Sequence, residues 1–242
     1  MRYGIFSDIH SNLEALQAVL QAYQKESIDK YLCVGDVVGY AANPNECISE
    51  VKKLAQVTIA GNHDWASVDL FPGDYFNPIA KEAIIWTKTN LSEASSVYLK
   101  SLKLLHEEDA FILVHGSLND PQDFNYMNDD YTAGQTFKIL TKDICFVGHT
   151  HFPGIFILDN DQKMAYLKGP TIEIKKGNKY IINVGSVGQP RDGNPASSYG
   201  IFDAKKKTFE LKRVSYDIKE TQKKIYAAGI PSYLAERLLA GR

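Results

Sequence analysis

The sequence predicts an α/β protein in which two packed, mixed β-sheets are flanked by helices. Two observations lead to this prediction. Up to about residue 150, short apolar runs alternate with stretches in which apolar residues recur at helical spacing, whereas 155–214 consists mainly of strand and turn patterns. That order favours two sheets covered by helices. A chain of 242 residues can bury a substantial core, and we expect a single domain over residues 1–242.

Each element has a local reason. Five apolar runs predict the strands of the first part, at 2–7, 31–35, 57–61, 111–115 and 144–148. Helical spacing predicts the helices between them, at 13–23, 44–54, 78–88, 92–105 and 133–140. Ser11 or Asn12 is the expected cap of the first helix, and Pro44 suits the first turn of the second. Six further strands and two closing helices are predicted at 155–158, 164–168, 171–174, 180–184, 198–202, 208–214, 218–228 and 232–240.

Composition limits the classes of partner. The 27 basic and 29 acidic residues give a formal charge of −2, which argues against broad attraction to long nucleic acid or membrane but leaves room for a local phosphate site. No apolar run is long enough to span a bilayer, and an early charge argues against a signal peptide. Cys33, Cys47 and Cys145 are odd in number, widely spaced and set among apolar neighbours. We therefore expect buried thiols and a cytoplasmic protein.

Polar clusters follow each of the first five predicted strands. They are 7–10, 35–40, 61–64, 115–117 and 148–151, and they contain five of the six histidines. The carboxyl ends of strands in an open α/β sheet line one crevice, so the clusters should converge. His106 lies outside them and is expected on the surface at the end of a helix.

The residue types in these clusters predict a metal site. Imidazole with carboxylate oxygen suits manganese, iron or zinc, and no cysteine joins the set. Asp8 and His10 are two residues apart in a segment predicted to be extended, so both side chains should point the same way, and His149 and His151 repeat that spacing. The donors exceed what one ion can use, and two ions bridged by a shared carboxylate would use them all.

At this point the sequence resembles the calcineurin-like metallophosphoesterase family. The family pattern is D-x-H, G-D-x-x, G-N-H-[DE], a lone His and G-H-x-H, and all five blocks occur here in order between residues 8 and 151. The resemblance implies a four-layer α/β/β/α sandwich. It also implies two sets of ligands with Asp36 as the bridge: Asp8, His10 and His151 for one ion, and Asn62, His115 and His149 for the other.

The resemblance further implies a catalytic group. His63 would donate a proton to the leaving oxygen, or clamp the transition state, without ligating metal. Asp64 could orient His63, although a helix cap would explain it equally well. A hydroxide held between the two ions would be the nucleophile for in-line attack on phosphorus.

One departure from the pattern bears on the substrate. The protein Ser/Thr phosphatases of the family carry Asp-Arg where this chain has Gly39-Tyr40. The closer resemblance is to compact bacterial and archaeal phosphodiesterases, through segments 35–44 and 183–191. Arg191 is either a phosphate clamp or half of a surface ion pair, and Tyr40 either contacts substrate or packs the loop. With Asn62, they are the candidate substrate-binding residues.

These observations predict a dinuclear metal-dependent phosphodiesterase acting on a small nucleotide-like substrate. Manganese is the expected metal, with iron, zinc, nickel or cobalt as alternatives. The alternative functions are a phosphomonoesterase, a dinucleoside polyphosphate hydrolase, or a non-catalytic metal-binding scaffold. Acidic residues in the loop 117–131 favour a small phosphorylated partner over a long nucleic acid. No membrane partner is expected, and the choice between monomer and homodimer stays open.

Overall fold

The computed structural model describes residues 1–242, with twelve strands and eight α-helices. The strands are β1 (Arg2–Phe6), β2 (Lys30–Cys33), β3 (Val57–Thr58), β4 (Leu105–Glu107), β5 (Phe111–Val114), β6 (Ile144–Val147), β7 (Gly154–Leu158), β8 (Met164–Leu167), β9 (Thr171–Glu173), β10 (Lys179–Asn183), β11 (Ser197–Asp203) and β12 (Thr208–Val214). The helices are α1 (Leu13–Tyr23), α2 (Pro44–Leu54), α3 (Asn62–Ala66), α4 (Pro78–Asn90), α5 (Glu93–Ser101), α6 (Asp130–Ile139), α7 (Ile218–Ala227) and α8 (Ser232–Glu236).

The strands form two mixed sheets, as the sequence predicts, and each sheet has six strands. Sheet 1 has the order β3-β2-β1-β11-β12-β9, and sheet 2 the order β4-β5-β6-β10-β7-β8. In sheet 1, β1, β2 and β3 are parallel; in sheet 2, β5, β6 and β10 are parallel. The remaining pairings are antiparallel.

The layers are held together by three apolar cores. Sixteen buried residues from both sheets, among them Ile5 and Phe146, fill the space between the sheets. Successive residues of a strand face opposite sides, so Phe6 instead packs against α1 and α2 on the outer face of sheet 1. The outer face of sheet 2 packs on α6 through residues such as Phe137. Each large side chain buried in this way contributes on the order of 1.5–3 kcal/mol.

Local signals explain where the helices begin. The Asn12 side chain accepts a hydrogen bond from the Ala15 amide and caps α1, and Pro44 occupies the first turn of α2.

A fourth, smaller core lies behind the loops after β1 and β2, where α4, α7 and α8 pack with Tyr40. Cys33, Cys47 and Cys145 are buried and free, as expected. None of the helices has the length and apolar character needed to cross a membrane.

The helix predicted at 92–105 is too long. It ends at Ser101, whose hydroxyl donates to the Tyr98 carbonyl, and the chain then runs beside residues 59–60, where Ala60 N donates to Lys103 O at 2.8 Å. β4 follows and pairs with β5, so the expectation that His106 ends a helix is wrong. His106 lies in that edge strand, and its Nε2 is 2.7 Å from Oε1 of Glu108. Tertiary strand pairing here overrides the helical period.

Candidate metal centre

Five loops meet where the two sheets lie against each other. They follow β1, β2, β3, β5 and β6, which are the strands that end in the five polar clusters of the sequence. The amide of Asp8 donates to the Gly35 carbonyl, and the amide of Gly148 donates to the His115 carbonyl, each at 3.0 Å. The amide of His149 donates to the Asp8 carboxylate at 3.1 Å and joins the loops of the two sheets. The structure therefore brings the clusters together.

The backbone of the ligand-bearing loops differs from expectation. Asp8 and His10 have φ of 55° and 51°, and His149 and His151 have φ of 67° and 63°, so both pairs lie in the left-handed region rather than in extended chain. Such a conformation costs on the order of 1–3 kcal/mol in a non-glycine residue and persists only where its surroundings impose it. Here the amides of Ile9 and His10 both donate to the Asp36 carbonyl, at 2.8 and 3.0 Å.

Gly61 allows the closest approach in the site. A Cβ at this position would lie 2.0 Å from Asp36 Oδ1 and 2.5 Å from the Asp36 amide. No side chain fits there, so the glycine of the G-N-H-D block is required for the approach of the third loop to the second. Gly61 is also the N-cap of α3. This helix was not predicted from the sequence because it has only five residues.

Backbone carbonyls fix the orientation of three histidines. Nδ1 of His10 donates to the Val38 carbonyl at 3.1 Å, and Nδ1 of His115 donates to the Val34 carbonyl at 2.7 Å. His151 makes the same bond to the Gln189 carbonyl at 2.6 Å. Because Nδ1 carries a hydrogen in each ring, Nε2 is the atom with the lone pair whenever the ring is neutral, which is the form of imidazole that binds metal.

Two groups of donor atoms that share no residue result, and a third possible group, His10 with Asp36 and His63, overlaps both. In one group, His10 Nε2 lies 2.9 Å from His151 Nε2 and 3.8 Å from Asp8 Oδ1, and His151 Nε2 lies 3.3 Å from the same carboxylate oxygen. The other comprises Asp36, His115 and His149, whose potential ligand atoms lie within 4.8 Å of one another. Every residue of both groups is buried.

Asp36 belongs to the group of His115 and His149 and also faces His10 of the other group. Its Oδ1 accepts a hydrogen bond from the His63 amide at 2.9 Å, which fixes the carboxylate plane. Its Oδ2 is 3.6 Å from His10 Nε2 and 3.2 Å from His115 Nε2. One oxygen of this carboxylate thus faces both groups of donors.

The donor set fits divalent metal. Asn62 Oδ1, His115 Nε2 and His149 Nε2 are buried and have no hydrogen-bond partner in the protein. A buried polar atom left unpaired costs on the order of 1–3 kcal/mol, and a cation among these atoms would remove that cost. Nitrogen and oxygen donors without thiolate suit first-row divalent ions.

Burial and neighbouring charges set the protonation of the site. Burial raises the pKa of a carboxyl, but nearby imidazoles outweigh it and hold the pKa of Asp8 and Asp36 below the usual value. Burial lowers the pKa of His10 and His149 well below the usual value. For His115 burial also opposes the charged form, yet Asp36 and Asp8 raise its pKa to about 9. Anionic carboxylates and neutral imidazoles are the forms that bind cations.

His63 lies beside the donor groups. Its ring centroid is 4.8 Å from that of His10, 4.4 Å from Tyr40 and 4.9 Å from Phe76. Its Nδ1 is buried and has no hydrogen-bond partner. Burial lowers the pKa of His63 to about 4, although Asp36 acts in the opposite direction.

Asp64 forms hydrogen bonds with backbone amides and none with the His63 ring. Its Oδ1 accepts hydrogen bonds from the amides of Val37 and Val38, at 2.9 and 3.1 Å, and its Oδ2 accepts one from Gly61 N at 3.0 Å. The carboxylate therefore caps α3 and ties the second loop to the third. Of the two roles that the sequence left open for Asp64, the structure shows the helix cap.

Arg191 makes contacts inside the site region. Its Nη2 donates to the Tyr40 hydroxyl at 3.3 Å and to Gln189 Oε1 at 3.0 Å. Its positive charge also lowers the pKa of His151, after the larger effect of burial. The hydrogen-bond partners of Arg191 are thus uncharged side chains, and the surface ion pair that the sequence left open is not formed.

Aromatic residues that belong to none of the five motifs pack next to the donor groups. Phe71 and Phe76, from the segment after α3, pack edge to face at 5.9 Å, and Phe71 contacts Phe124 at 5.1 Å. Tyr126 stacks on the His149 ring at 3.9 Å. Phe124 and Tyr126 lie in the loop 117–131, whereas Phe71 and Phe76 lie outside every predicted cluster, and their only signal is an aromatic-rich stretch at 71–76.

Two mixed sheets with a buried nitrogen and oxygen donor set at their strand ends define a metal-dependent phosphoester hydrolase. The chain belongs to the calcineurin-like phosphoesterase superfamily, whose domain model matches residues 1–207. This membership favours the enzyme over the scaffold among the alternatives that the sequence left open.

Comparison with known proteins gives matches that extend over nearly the whole chain. The uncharacterized protein MJ0912 of Methanocaldococcus jannaschii is 40% identical over 243 residues, which cover 99% of this chain and 98% of that protein. The crystal structure of a metallophosphoesterase from Sphaerobacter thermophilus is 37% identical, with a TM-score of 0.87 and coverage of 100% and 99% of the two chains. The phosphodiesterase YfcE of Escherichia coli is 24% identical over 209 residues, covering 84% of this chain and 88% of that protein.

Proposed function

We propose that the protein is a dinuclear metal-dependent phosphodiesterase that hydrolyses a small nucleotide-like ester by in-line attack. The position of Asp36 carries this proposal. Its Oδ2 is 3.6 Å from His10 Nε2 and 3.2 Å from His115 Nε2, so one carboxylate oxygen faces both donor groups. A shared carboxylate is the feature that a pair of bridged ions requires.

The two ions would have separate ligand sets that share Asp36. Asp8, His10 and His151 would hold the first ion, because their potential ligand atoms lie within 4.8 Å of one another. The second would be held by His115, His149 and the buried carbonyl oxygen of Asn62. Manganese suits this mixture of donors, and iron, zinc, nickel and cobalt are the alternatives.

Two divalent ions, when bound, would supply an acidified water as nucleophile and would neutralise the charge on the phosphoryl oxygens. The chain supplies the remaining functions. His63 would give its proton to the leaving oxygen, and a phosphate anion beside the ring would raise its low pKa and favour the imidazolium. Arg191 and Tyr40 would bind a phosphoryl oxygen that faces away from the ions. Asn62 would add a contact to the same group.

A diester is the substrate favoured over a monoester. Gly39 and Tyr40 stand where the related protein phosphatases carry Asp and Arg, and the relative YfcE bears the name phosphodiesterase. The partner would be a small phosphorylated molecule, because the loop 117–131 contains four aspartates that would repel a long polyanion: Asp120, Asp123, Asp129 and Asp130. The three buried free thiols support a location in the reducing cytoplasm.

The test is hydrolysis by protein reconstituted with manganese. We expect turnover of bis(p-nitrophenyl) phosphate, with slower turnover of p-nitrophenyl phosphate. Asp36→Asn should lose at least one ion in metal analysis together with most activity, because the amide cannot supply a negatively charged bridge. His106→Asn is the matched control, since His106 lies in β4 outside the site. A faster reaction with the monoester, or full metal content in Asp36→Asn, would contradict the proposal.

A further inference from the structure

A cavity of about 620 Å³ opens beside the candidate metal centre. Asn62, His63 and His149 form part of its wall, so the cavity and the donor groups share residues. Most of the rest of the wall comes from residues in the segments 70–77 and 122–126. Its volume falls within the range of roughly 300–1,000 Å³ that is usual for small-molecule sites.

The cavity wall is aromatic. Phe71 and Tyr75 lie with their ring centroids 5.3 Å apart, and Phe76 contacts His63 edge to face at 4.9 Å. Across the cavity, Tyr126 stacks on His149 with nearly parallel rings at 3.9 Å. Tyr75 is 79% exposed and Tyr126 is 52% exposed, so ring surface remains for a ligand to cover.

Beyond the residues that it shares with the metal centre, the wall offers no positive charge to a phosphate. No lysine or arginine lines the cavity, and Asp123 is its only carboxylate. A phosphoryl group would find its positive partners at the metal centre and Arg191, whereas the cavity offers ring faces and edges. An uncharged planar group is the ligand that such walls stabilise.

Resting on the phosphodiesterase function above, we propose that this cavity holds an uncharged planar aromatic group of the leaving alcohol, of the kind that a nucleobase provides. The leaving side follows from His63, because the residue that would protonate the leaving oxygen is part of the cavity wall. In the reaction, an oxygen of water bonds to phosphorus and the P–O bond to the leaving alcohol breaks. The proton of His63 passes to the departing oxygen, and the aromatic group remains in the cavity until the alcohol leaves.

Binding of monoesters that resemble the phosphoryl group and leaving half of the substrate tests this assignment. Calorimetry on the manganese-loaded protein would compare adenosine 5′-monophosphate with ribose 5-phosphate, which has a hydroxyl group where the nucleotide has the base. We expect the nucleotide to bind about 5- to 150-fold more tightly, the range that corresponds to stacking of one base on aromatic side chains. Equal affinity of the two ligands would overturn the proposal.

Phenyl phosphate separates two sources of the aromatic group. If it binds as tightly as the nucleotide, the cavity takes an aryl group joined directly to the phosphoryl oxygen. If it binds more weakly than the nucleotide but more tightly than ribose 5-phosphate, the cavity takes a base carried beyond a ribose. Both results support an aromatic site, whereas affinity no better than that of ribose 5-phosphate for both aromatic ligands contradicts it.

A side-chain series locates the effect. Phe71→Leu keeps an apolar residue but removes the ring, and should lower the affinity ratio of nucleotide to ribose 5-phosphate several-fold. Phe71→Tyr should restore the ratio, which a merely structural loss would not predict. Tyr131→Ala is the control, because Tyr131 is a 76% exposed aromatic residue at the start of α6 and does not line the cavity. An unchanged ratio in Phe71→Leu would overturn the proposal.

The two proposals fail in different ways. If the nucleotide is preferred and Phe71→Leu removes the preference, the aromatic site stands even where no diester is hydrolysed, and only the phosphodiesterase proposal falls. If diesters are hydrolysed but the base contributes nothing to binding, the phosphodiesterase proposal stands and the assignment of the cavity falls.

Discussion

The backbone of Gly39 lies against the imidazole of His63. A Cβ at residue 39 would be 2.6 Å from His63 Nδ1 and 3.1 Å from His63 Cγ, and Gly39 has φ of +102°. Both the contact and the backbone angle require glycine at this position. The second loop therefore positions the His63 ring by leaving space for it.

Gly39→Ala should reduce kcat about 100-fold, because the added methyl group displaces a ring on which proton transfer depends. Metal content should stay near that of the parent protein, since Gly39 supplies no ligand atom. The matched control is Gly193→Ala: Gly193 has φ of +82°, and nothing lies within 4 Å of its would-be Cβ. This control shares the backbone strain without the contact, and an equal loss of kcat in both variants would show strain alone to be responsible.

His63→Ala should retain both ions and lose about 10²–10⁴-fold in kcat, the usual contribution of general acid catalysis. The loss should be larger for esters with an alkyl leaving group than for nitrophenyl esters, because a poorer leaving group depends more on protonation. Metal analysis and a leaving-group series provide the measurement. The same loss for every leaving group would exclude the acid role.

Arg191→Lys should raise KM for a diester about tenfold or more with little change in kcat, because an ammonium cannot reproduce the planar contact of the guanidinium with Tyr40, Gln189 and a phosphoryl oxygen. Arg213→Lys is the control, since the Arg213 guanidinium contacts Asp192 and the Ala196 carbonyl but neither Tyr40 nor Gln189. Steady-state kinetics on both variants distinguish a substrate contact from a surface role. An unchanged KM in Arg191→Lys would favour the latter.

Metal binding should release protons. His115 has a pKa of about 9 in the metal-free protein, because Asp36 and Asp8 outweigh the burial that opposes its charge. Below that pH the imidazole holds a proton that a bound ion must displace, so metal affinity should rise with pH by about tenfold per unit for each proton displaced. Calorimetry in buffers of different protonation enthalpy counts these protons near neutral pH. A count of zero would contradict the protonated state of His115.

Much of the fold was predictable because it depends on short-range patterns. The apolar runs of β1, β2, β5 and β6 and the apolar spacing of α1 are properties of local sequence. The end of α5 was not, because the bond from Ala60 N to Lys103 O comes from a distant segment. Nor was the left-handed backbone at Asp8 and His10, which depends on the carbonyl of Asp36.

The sequence by itself determined the chemical content of the site, since five strand-end clusters contain the donor types that bind divalent metal, in the order of one family. The tertiary structure alone decided how those donors are used. Carbonyls of Val34, Val38 and Gln189 orient three imidazoles, Asp36 Oδ2 lies between the two donor groups, and Asp64 is committed to backbone amides. The physical reason is that side-chain identity sets which bonds an atom can make, whereas the packing of two sheets sets which partner it meets.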